Sequence, residues 1–413
     1  MIPRFERSQI GRTLVHPKLS TSIDLDPASV DGSGGTSNAG DSSNKNNVNV
    51  ERNRSNSNGV KDCNDDCDGR ELTDAAATAP NLHRFVICAD TQYGMITDNE
   101  DWETELEYSR SAVRFMNGMN PRPVFCCVCG DLTDMDRSFE VKKPNSKFSM
   151  EECDEIQLRQ REDFKTVWGE LHRDIALVCL CGNHDVGNKP TARSMELYRK
   201  EFGDDYLAFW SSPKIYNIFL NTTLFSDPSG DETTEQMSRD QFRWLEERLR
   251  SVRMAAPNQN QLVASQPATT KDDATIFVFG HHPWFLYDED EDPETMTGSC
   301  EWKSTIIPDS YFVIPKETRR LVLQLFREYR VAASFSGHFH QNLVSETSFG
   351  MKMIVTGPLS AMLESSGKKK LREDADKRGG DIAKLTIDEP DTLGLRLVEV
   401  SEDGSFRHEY ISI

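Results

Sequence analysis

The chain has 413 residues, enough for one large domain or two modest ones, and its apolar fraction of 37% is low for a wholly folded protein. Lys and Arg total 48 against 68 Asp and Glu, which gives a net charge of -20 at pH 7. This excess of negative charge argues against a nucleic-acid polyanion as the main partner, so we expect no nucleic-acid binding.

The composition of the N-terminus and the positions of the cysteines bear on the cellular compartment of the protein. The first residues lack the apolar core of a secretory signal, and no apolar run approaches bilayer length. We therefore expect a soluble cytoplasmic protein without a membrane span. Cys63 and Cys67 stand in an acidic tract without a second pair, so a zinc site there is a minor alternative. Six other cysteines lie in apolar runs typical of reduced core thiols: Cys88, Cys126, Cys127, Cys129, Cys179 and Cys181.

The N-terminal region has a different composition from the rest of the chain. From about Thr21 to Ala79 it is rich in Ser, Asn, Asp and Gly. Such a tract cannot bury enough apolar surface to offset the conformational entropy that it would lose on folding. We expect residues 1–80 to form a mostly disordered polar arm and residues 81–413 to form one folded domain.

Five apolar runs end at a small residue that is followed by Asp, Asn or His. This pattern predicts buried strands that enter loops. In chain order the runs are His83–Ala89 before Asp90 and Gln92, Val124–Cys129 before Asp131, Ile175–Cys181 before Asn183, Thr275–Phe279 before His281, and Val331–Ser336 before His338 and His340.

Amphipathic spacing predicts helices between these strands. They are expected over Trp102–Met119, Ile156–Arg173, Asp240–Met254 and Lys316–Tyr329. The alternation of strand and helix up to residue 181 implies a parallel sheet. After Met351 we expect further strands, interrupted by a charged loop around Lys368–Arg378.

The side chains at the five strand ends form a set of possible metal ligands. Open α/β sheets place their ligand sites at the carboxyl ends of strands. Carboxylates, imidazoles and amides without thiolates suit Mn, Fe or Zn, and a bridging aspartate suits two ions about 3.5–4 Å apart. Within the stretch Gly182–Asp185, His184 can donate a proton near neutral pH and Asp185 can hold its ring. The sequence thus predicts a dinuclear metal site with an adjacent acid.

Taken together, these motifs resemble the calcineurin-like metallophosphoesterase superfamily. The resemblance implies an α/β fold, a two-sheet β-sandwich flanked by α-helices, over essentially Phe85 to Ile413. Runs such as Gly182–Asn188 and Phe335–Asn342 are similar to the narrower calcineurin-like phosphoesterase domain-containing protein 1 group, regarded as cytoplasmic phosphatases of protein phosphoserine and phosphothreonine. The motifs are Asp90-Thr91-Gln92, Gly130-Asp131-Leu132-Thr133-Asp134, Gly182-Asn183-His184-Asp185, His281 and Gly337-His338-Phe339-His340.

The resemblance also implies a role for each motif residue. A hydroxide that bridges two divalent ions would attack phosphorus, His184 would protonate the leaving alkoxide, and Asp185 would hold the His184 ring. Gln92 stands where the wider superfamily has His, and an amide oxygen is a weaker, neutral ligand. The first ion is therefore expected to bind loosely, to differ in identity or to contact Gln92 only through water. The implied ligands are Asp90, Gln92, Asp131 and His340 for one ion, and Asp131, Asn183, His281 and His338 for the other.

Several readings stay open. The same metal centre would serve a phosphodiesterase or nucleotide hydrolase, and a catalytically weak scaffold is a second alternative to a phosphatase with a phosphorylated protein substrate. His282 is expected to pack or to line the rim, and Asp134 to accept a hydrogen bond rather than bind metal. The acidic run Asp288–Asp292 predicts a solvated loop, with substrate selection as the minority hypothesis.

Overall fold

The computed structural model describes residues 82–140, 146–254, 274–377, 385–386 and 390–413. The predicted N-terminal arm, including Cys63 and Cys67, lies outside the described residues. The arm and the boundary of the folded domain therefore stay predictions.

Strands and helices alternate in the first part of the described chain, and strands predominate towards its C-terminal end. The strands are β1 (His83–Cys88), β2 (Phe125–Cys129), β3 (Ala176–Leu180), β4 (Leu207–Ser212), β5 (Ile215–Phe219), β6 (Thr275–Phe279), β7 (Ser299–Trp302), β8 (Thr305–Pro308), β9 (Ala333–Ser336), β10 (Leu343–Glu346), β11 (Lys352–Val355), β12 (Glu364–Ser365), β13 (Leu385–Thr386), β14 (Gly394–Val400) and β15 (Phe406–Ser412). The helices are α1 (Glu103–Gly118), α2 (Arg137–Glu140), α3 (Met150–Trp168), α4 (Asn183–Val186), α5 (Ala192–Phe202), α6 (Thr223–Ser226), α7 (Glu232–Met254), α8 (Lys316–Glu328) and α9 (Ser366–Lys377), with a 3-10 helix at Asp309–Phe312.

Two large sheets organise these elements. The first has the order β15-β14-β1-β2-β3, and its strands β1, β2 and β3 run parallel as predicted. The second has the order β13-β10-β11-β9-β6-β5-β4, with β11, β9, β6 and β5 parallel. A small antiparallel sheet, β12-β7-β8, lies apart from both. The predicted two-sheet architecture is confirmed.

The core between the two large sheets is built from alternate residues of their strands, because successive side chains of a strand point to opposite faces. Phe85 of β1 stacks on Phe125 of β2 with ring centroids 4.8 Å apart. From the other sheet, Phe277 and Phe335 meet the ring of Phe85 at centroid distances of 5.4 and 5.9 Å. These rings and their aliphatic neighbours form one buried cluster that joins the sheets.

Helices cover the outer face of each sheet. On the first sheet, α1, α3 and α5 contribute buried residues such as Val113, Phe164 and Tyr198 to one cluster. On the second sheet, α7 and α8 contribute residues such as Leu249 and Phe326 to another. No helix within the described residues is long and apolar enough to cross a membrane.

The structure corrects two of the predicted helix starts and the predicted type of one segment. Helix α3 begins at Met150, six residues before the predicted start, behind a capping box formed by Ser149 and Glu152. Helix α7 begins at Glu232 instead of Asp240. The charged segment after residue 365, predicted as a loop, is helix α9. Its Lys, Arg, Glu, Ala and Leu residues are strong helix formers, so high charge did not mean irregular backbone.

Candidate functional site

The predicted ligand residues meet at the carboxyl ends of the strands. Strands β1, β2 and β3 of the first sheet and β6 and β9 of the second each deliver one motif. All seven predicted ligand side chains are buried: Asp90, Gln92, Asp131, Asn183, His281, His338 and His340. The sandwich thus brings five segments that are distant in sequence to one place.

Five of these residues have left-handed backbone conformations, with φ between 38° and 67°: Asp90, Gln92, Asp131, His338 and His340. Such conformations are uncommon for residues with a side chain and persist only where the surrounding structure imposes them. Their concentration at the strand ends indicates that the backbone is held in a strained form in order to aim these side chains at one point.

Asp90 organises one half of the cluster. Its carboxylate accepts the backbone N–H of His338 at 3.1 and 3.0 Å, and Oδ1 lies 3.5 Å from Nε2 of His340. The other ring nitrogen of His340 lies 2.7 Å from the carbonyl of Ala361, which fixes the direction of the ring. A histidine that is anchored through one nitrogen and free at the other is typical of a metal ligand.

Asp131 and His281 organise the other half. Nε2 of His281 lies 3.3 Å from Oδ2 of Asp131, 3.1 Å from Oδ1 of Asn183 and 3.0 Å from Nδ1 of His338. Nδ1 of His281 is anchored on the carbonyl of Cys129 at 2.8 Å. Ligand atoms of Asp90, Asp131 and His281 all lie within 4.8 Å of one another, as do those of His281, His282 and His338.

The charges in this cluster interact strongly. Burial raises the pKa of Asp90 to about 8, against the opposing effect of His281. Burial acts the same way on Asp131, but the nearby His281 and His184 outweigh it and hold the pKa of Asp131 well below its usual range. Burial lowers the pKa of His281, yet Asp131 and Asp90 outweigh it and raise that pKa to about 9. The protein's own groups therefore hold protons that a bound cation would displace.

Gln92 and His338 each present a buried polar atom that has no hydrogen-bond partner among the described residues. Nε2 of Gln92 donates to Oδ1 of Asp134 over 3.1 Å, which leaves Oε1 buried without a hydrogen-bond partner among the described residues. Nε2 of His338 is also buried without a hydrogen-bond partner among the described residues. An unsatisfied buried polar atom costs about 1–3 kcal/mol, so two of them in one cluster indicate a site that takes a ligand.

His184 lies beside the buried cluster with its side chain 25% exposed. Its Nδ1 is 2.9 Å from the carbonyl oxygen of Asp134 and 3.3 Å from the Oδ1 carboxylate oxygen of the same residue. Burial lowers the pKa of His184, but the charges of Asp131 and Asp134 outweigh it and raise the pKa. The ring is thus held through Nδ1.

The prediction that Asp185 holds the His184 ring was wrong. The carboxylate of Asp185 accepts the backbone N–H groups of Gly182 at 2.8 Å and Leu132 at 3.1 Å. Asp185 is the third residue of α4, so its side chain reaches back to the free N–H groups at the start of that turn. The Asp185 carboxylate thus connects the loops that follow β2 and β3. The residue that contacts the His184 ring is Asp134.

Sequence reasoning missed Tyr311 of the 3-10 helix. Its Oη accepts a hydrogen bond from Nδ2 of Asn183 over 3.1 Å and donates to Oδ1 of Asn188 over 3.1 Å. This contact leaves Oδ1 of Asn183 directed at His281. Tyr311 follows a polar insertion with no recognisable pattern, so nothing in the sequence pointed to it.

His282 and the acidic run also have defined contacts. His282 is buried, and its Nδ1 lies 3.2 Å from Oγ1 of Thr222, which leaves both packing and rim roles open. In the acidic run, Glu291 accepts the backbone N–H groups of Leu286 and Tyr287 at 2.8 and 2.9 Å. Part of that run therefore stabilises its own loop, and substrate selection by it stays a prediction.

Gly182 offers a test of how tightly the site is packed. A Cβ at this position would collide with both the carboxylate and the amide nitrogen of Asp131. We expect Gly182→Ala to lower the free energy of unfolding by about 1–3 kcal/mol and to weaken metal binding, since the clash displaces a ligand. Chemical denaturation and metal analysis would measure both. Gly118→Ala is the control, because a Cβ at Gly118 meets nothing within 4 Å; equal stability of the two variants would contradict the prediction.

Comparison with known proteins gives consistent matches. The serine/threonine-protein phosphatase CPPED1 of Homo sapiens is 31% identical over 288 residues, which cover 68% of this chain and 76% of that protein. The protein of the same name from Danio rerio is 28% identical over 338 residues, 80% of this chain and 84% of that protein. The purple acid phosphatase PPD1 from yellow lupin (Lupinus luteus) seeds aligns with a TM-score of 0.47 and 13% identity, over 81% of this chain and 52% of that chain.

A family model extends these pairwise matches. The model described as calcineurin-like phosphoesterase matches residues 83–342, which run from the first strand to just after the last histidine motif. The matched range is more than half of the 413 residues and contains all the predicted ligand positions. This chain therefore belongs to the calcineurin-like phosphoesterase family and is a metal-dependent phosphoesterase.

Proposed function

We propose that this phosphoesterase is a protein phosphatase that hydrolyses phosphoserine and phosphothreonine monoesters. The observation that carries the proposal is the position of His184, beside the buried cluster with Nδ1 held by Asp134 at 2.9 Å. A seryl or threonyl alkoxide is a poor leaving group, so its release needs a proton donor at such a position. The names of the two relatives, both serine/threonine-protein phosphatases, support the same substrate class.

The cluster fits two divalent ions, with Mn, Fe or Zn as the suitable metals for its carboxylate, imidazole and amide donors. The unpartnered buried atoms of Gln92 and His338 support this fit. When bound, two ions supply Lewis-acid activation of water and neutralise charge that develops on the phosphoryl group. We assign Asp90, Gln92, Asp131 and His340 to one ion, and Asp131, Asn183, His281 and His338 to the other.

The chain's own residues then handle the leaving group. As an oxygen atom from water bonds to phosphorus and the bond between phosphorus and the seryl oxygen breaks, a proton moves from Nε2 of His184 to the seryl oxygen. His184 becomes neutral, and the products are the seryl alcohol and inorganic phosphate. Asp134 holds the opposite ring nitrogen and stabilises the charged ring before the transfer. Oδ1 of Asp131 accepts the backbone N–H of His184 over 2.8 Å, so a proposed bridging ligand also fixes the backbone that carries the acid.

The substrate class is tested by comparing a phosphoserine peptide with the diester bis-p-nitrophenyl phosphate, with added Mn²⁺. We expect kcat/KM for the peptide to exceed that for the diester by at least about tenfold. Excess chelator should abolish both activities. Preferential turnover of the diester would replace the proposal with a phosphodiesterase of the same fold. Metal-loaded protein that turns over neither substrate would favour a scaffold.

We further propose that the protein works in the cytoplasm. The described residues contain eight buried cysteines, all free thiols: Cys88, Cys126, Cys127, Cys129, Cys153, Cys179, Cys181 and Cys300. Unpaired thiols in such number are typical of reducing compartments. Fluorescence microscopy of the tagged full-length protein would test the location, and a signal confined to a secretory compartment would contradict it.

A further inference from the structure

A closed ring of buried hydrogen bonds lies next to the pair formed by His184 and Asp134. Gln160 of α3 donates from Nε2 to Oδ1 of Asn99 over 2.7 Å, and Asn99 donates from Nδ2 to Oδ2 of Asp134 over 2.6 Å. The ring closes where the backbone N–H of Met135 donates to Oε1 of Gln160 over 3.0 Å. Gln160 therefore holds the peptide that follows Asp134 directly, and it reaches the carboxylate of Asp134 through Asn99.

The peptide bond between Asp134 and Met135 connects this ring to the proton donor. Its carbonyl oxygen lies 2.9 Å from Nδ1 of His184, and its N–H donates to Gln160. A trans peptide is planar, with its C=O and N–H pointing in opposite directions. Because of this geometry, a bond that fixes the N–H also fixes the direction of the carbonyl. Gln160 thereby orients the acceptor that holds the imidazole ring.

The surroundings leave the two amides little freedom. Gln160 is fully buried, and Asn99 is 3% exposed with a left-handed φ of 66°. Gly94, with φ of 109°, lies so close that a Cβ there would collide with Oδ1 of Asn99 and Nε2 of Gln160. Buried polar groups in such a network keep one arrangement, because every alternative leaves a donor or acceptor unpaired.

We propose that Gln160, acting together with Asn99, is a positioning residue for the proton donor His184. This inference rests on the proposed function, since a proton donor is required only where the leaving group is an alkoxide. Displacement of the ring slows release of a seryl alkoxide. It affects p-nitrophenyl phosphate much less, because p-nitrophenolate leaves with little need for protonation.

The test compares two substrates on the full-length protein loaded with Mn²⁺. Gln160→Met keeps the length of the side chain and removes both of its hydrogen bonds. Asn99→Gly removes the link to Asp134 and suits the left-handed backbone, so it carries the test if the first variant fails to fold. We expect kcat on a phosphoserine peptide to fall about tenfold to a hundredfold, since a displacement of about 1 Å can cost about 10²-fold. The fall with p-nitrophenyl phosphate should be below about threefold.

A matched control variant and a double variant distinguish a positioning role of Gln160 from general damage to the fold. Asn217→Ser alters another fully buried amide, in the middle of β5, and should leave the ratio of the two activities unchanged. In a His184→Ala background, Gln160→Met should cause no further loss of peptide turnover, because the two residues act through one group. Equal falls on both substrates, or additive losses, would overturn the inference. A wild-type protein without peptide turnover would overturn the proposed function along with it.

A spectroscopic readout on metal-free protein separates positioning from activity. The proton on Nδ1 of His184 is expected to give a slowly exchanging signal in ¹⁵N-edited spectra of wild-type protein and of Asn217→Ser. In Gln160→Met that signal should broaden or vanish, since the carbonyl that holds the proton is no longer fixed. An unchanged signal in Gln160→Met would contradict the proposed role.

Discussion

Replacing Asp131 by asparagine is expected to abolish most of the phosphatase activity. Asp131 is 1% exposed, and its two carboxylate oxygens serve different partners: Oδ2 faces Nε2 of His281 at 3.3 Å and Oδ1 accepts the N–H of His184 at 2.8 Å. An amide has only one acceptor oxygen and no charge, so it binds two cations far more weakly than a carboxylate does. A bound metal ion supplies several kcal/mol of transition-state stabilisation, and we expect a loss of about 10³-fold or more in kcat.

Metal analysis distinguishes this explanation from general damage to the fold. Wild-type protein should retain about two ions per chain after dialysis, as a dinuclear site requires, and Asp131→Asn about one or fewer. Asp154→Asn is the matched control, because Asp154 is exposed and, among the described residues, its carboxylate pairs with Arg137 at 2.8 Å. Full occupancy and activity in Asp131→Asn would refute the bridging role.

Replacing His184 by alanine should give the second largest effect, and one that depends on the leaving group. A general acid contributes about 10²–10⁴-fold when it protonates a poor leaving group, so turnover of a phosphoserine peptide should fall by that factor. Turnover of p-nitrophenyl phosphate should fall far less. Metal content should stay at the wild-type level, since the ring of His184 contacts Asp134 and is not among the assigned ligands.

The ratio between the loss of activity on the phosphoserine peptide and the loss on p-nitrophenyl phosphate tests the role of His184 as a proton donor. His172→Ala provides the control, since His172 is also partly exposed, with 34% of its side chain accessible, and its Nδ1 lies 3.6 Å from a carboxylate oxygen of Asp174. That variant should behave as wild type on both substrates. If His184→Ala lost activity equally on the peptide and on p-nitrophenyl phosphate, His184 would be acting on substrate binding or on the site geometry, and the proton-donor role would be abandoned.

The residue that holds the His184 ring could not be identified from the sequence. Asp185 is adjacent to His184 in the chain, and adjacency suggested that it holds the ring. In α4, however, consecutive side chains point about 100° apart, and Asp185 turns back to the N–H groups of Gly182 and Leu132. The acid that reaches the ring is Asp134, fifty positions earlier in the chain.

Boundaries and helix content show the same limit at the level of secondary structure. The apolar periodicity of α3 located the buried residues Phe164, Val167 and Trp168, but it also predicted Leu158 on that face, and Leu158 is 51% exposed. It did not locate the first turn, which is polar and depends on the capping box of Ser149 and Glu152. Helix α9 was not predicted, because its many charged residues are also typical of a surface loop. Both errors arose in segments with few apolar residues, where periodicity carries little information.

The amino-acid sequence by itself determined which residues are candidate metal ligands and which strand ends carry them. Strand termination and ligand chemistry are local properties, so Asp90, Asp131 and the histidine motifs could be recognised without coordinates. Only the tertiary structure decided how these groups are oriented. Tyr311 reaches Asn183 across 128 positions of sequence, and Gln160 reaches Asn99 across 61. Such contacts depend on how the sheets and helices pack, and no short-range pattern encodes them.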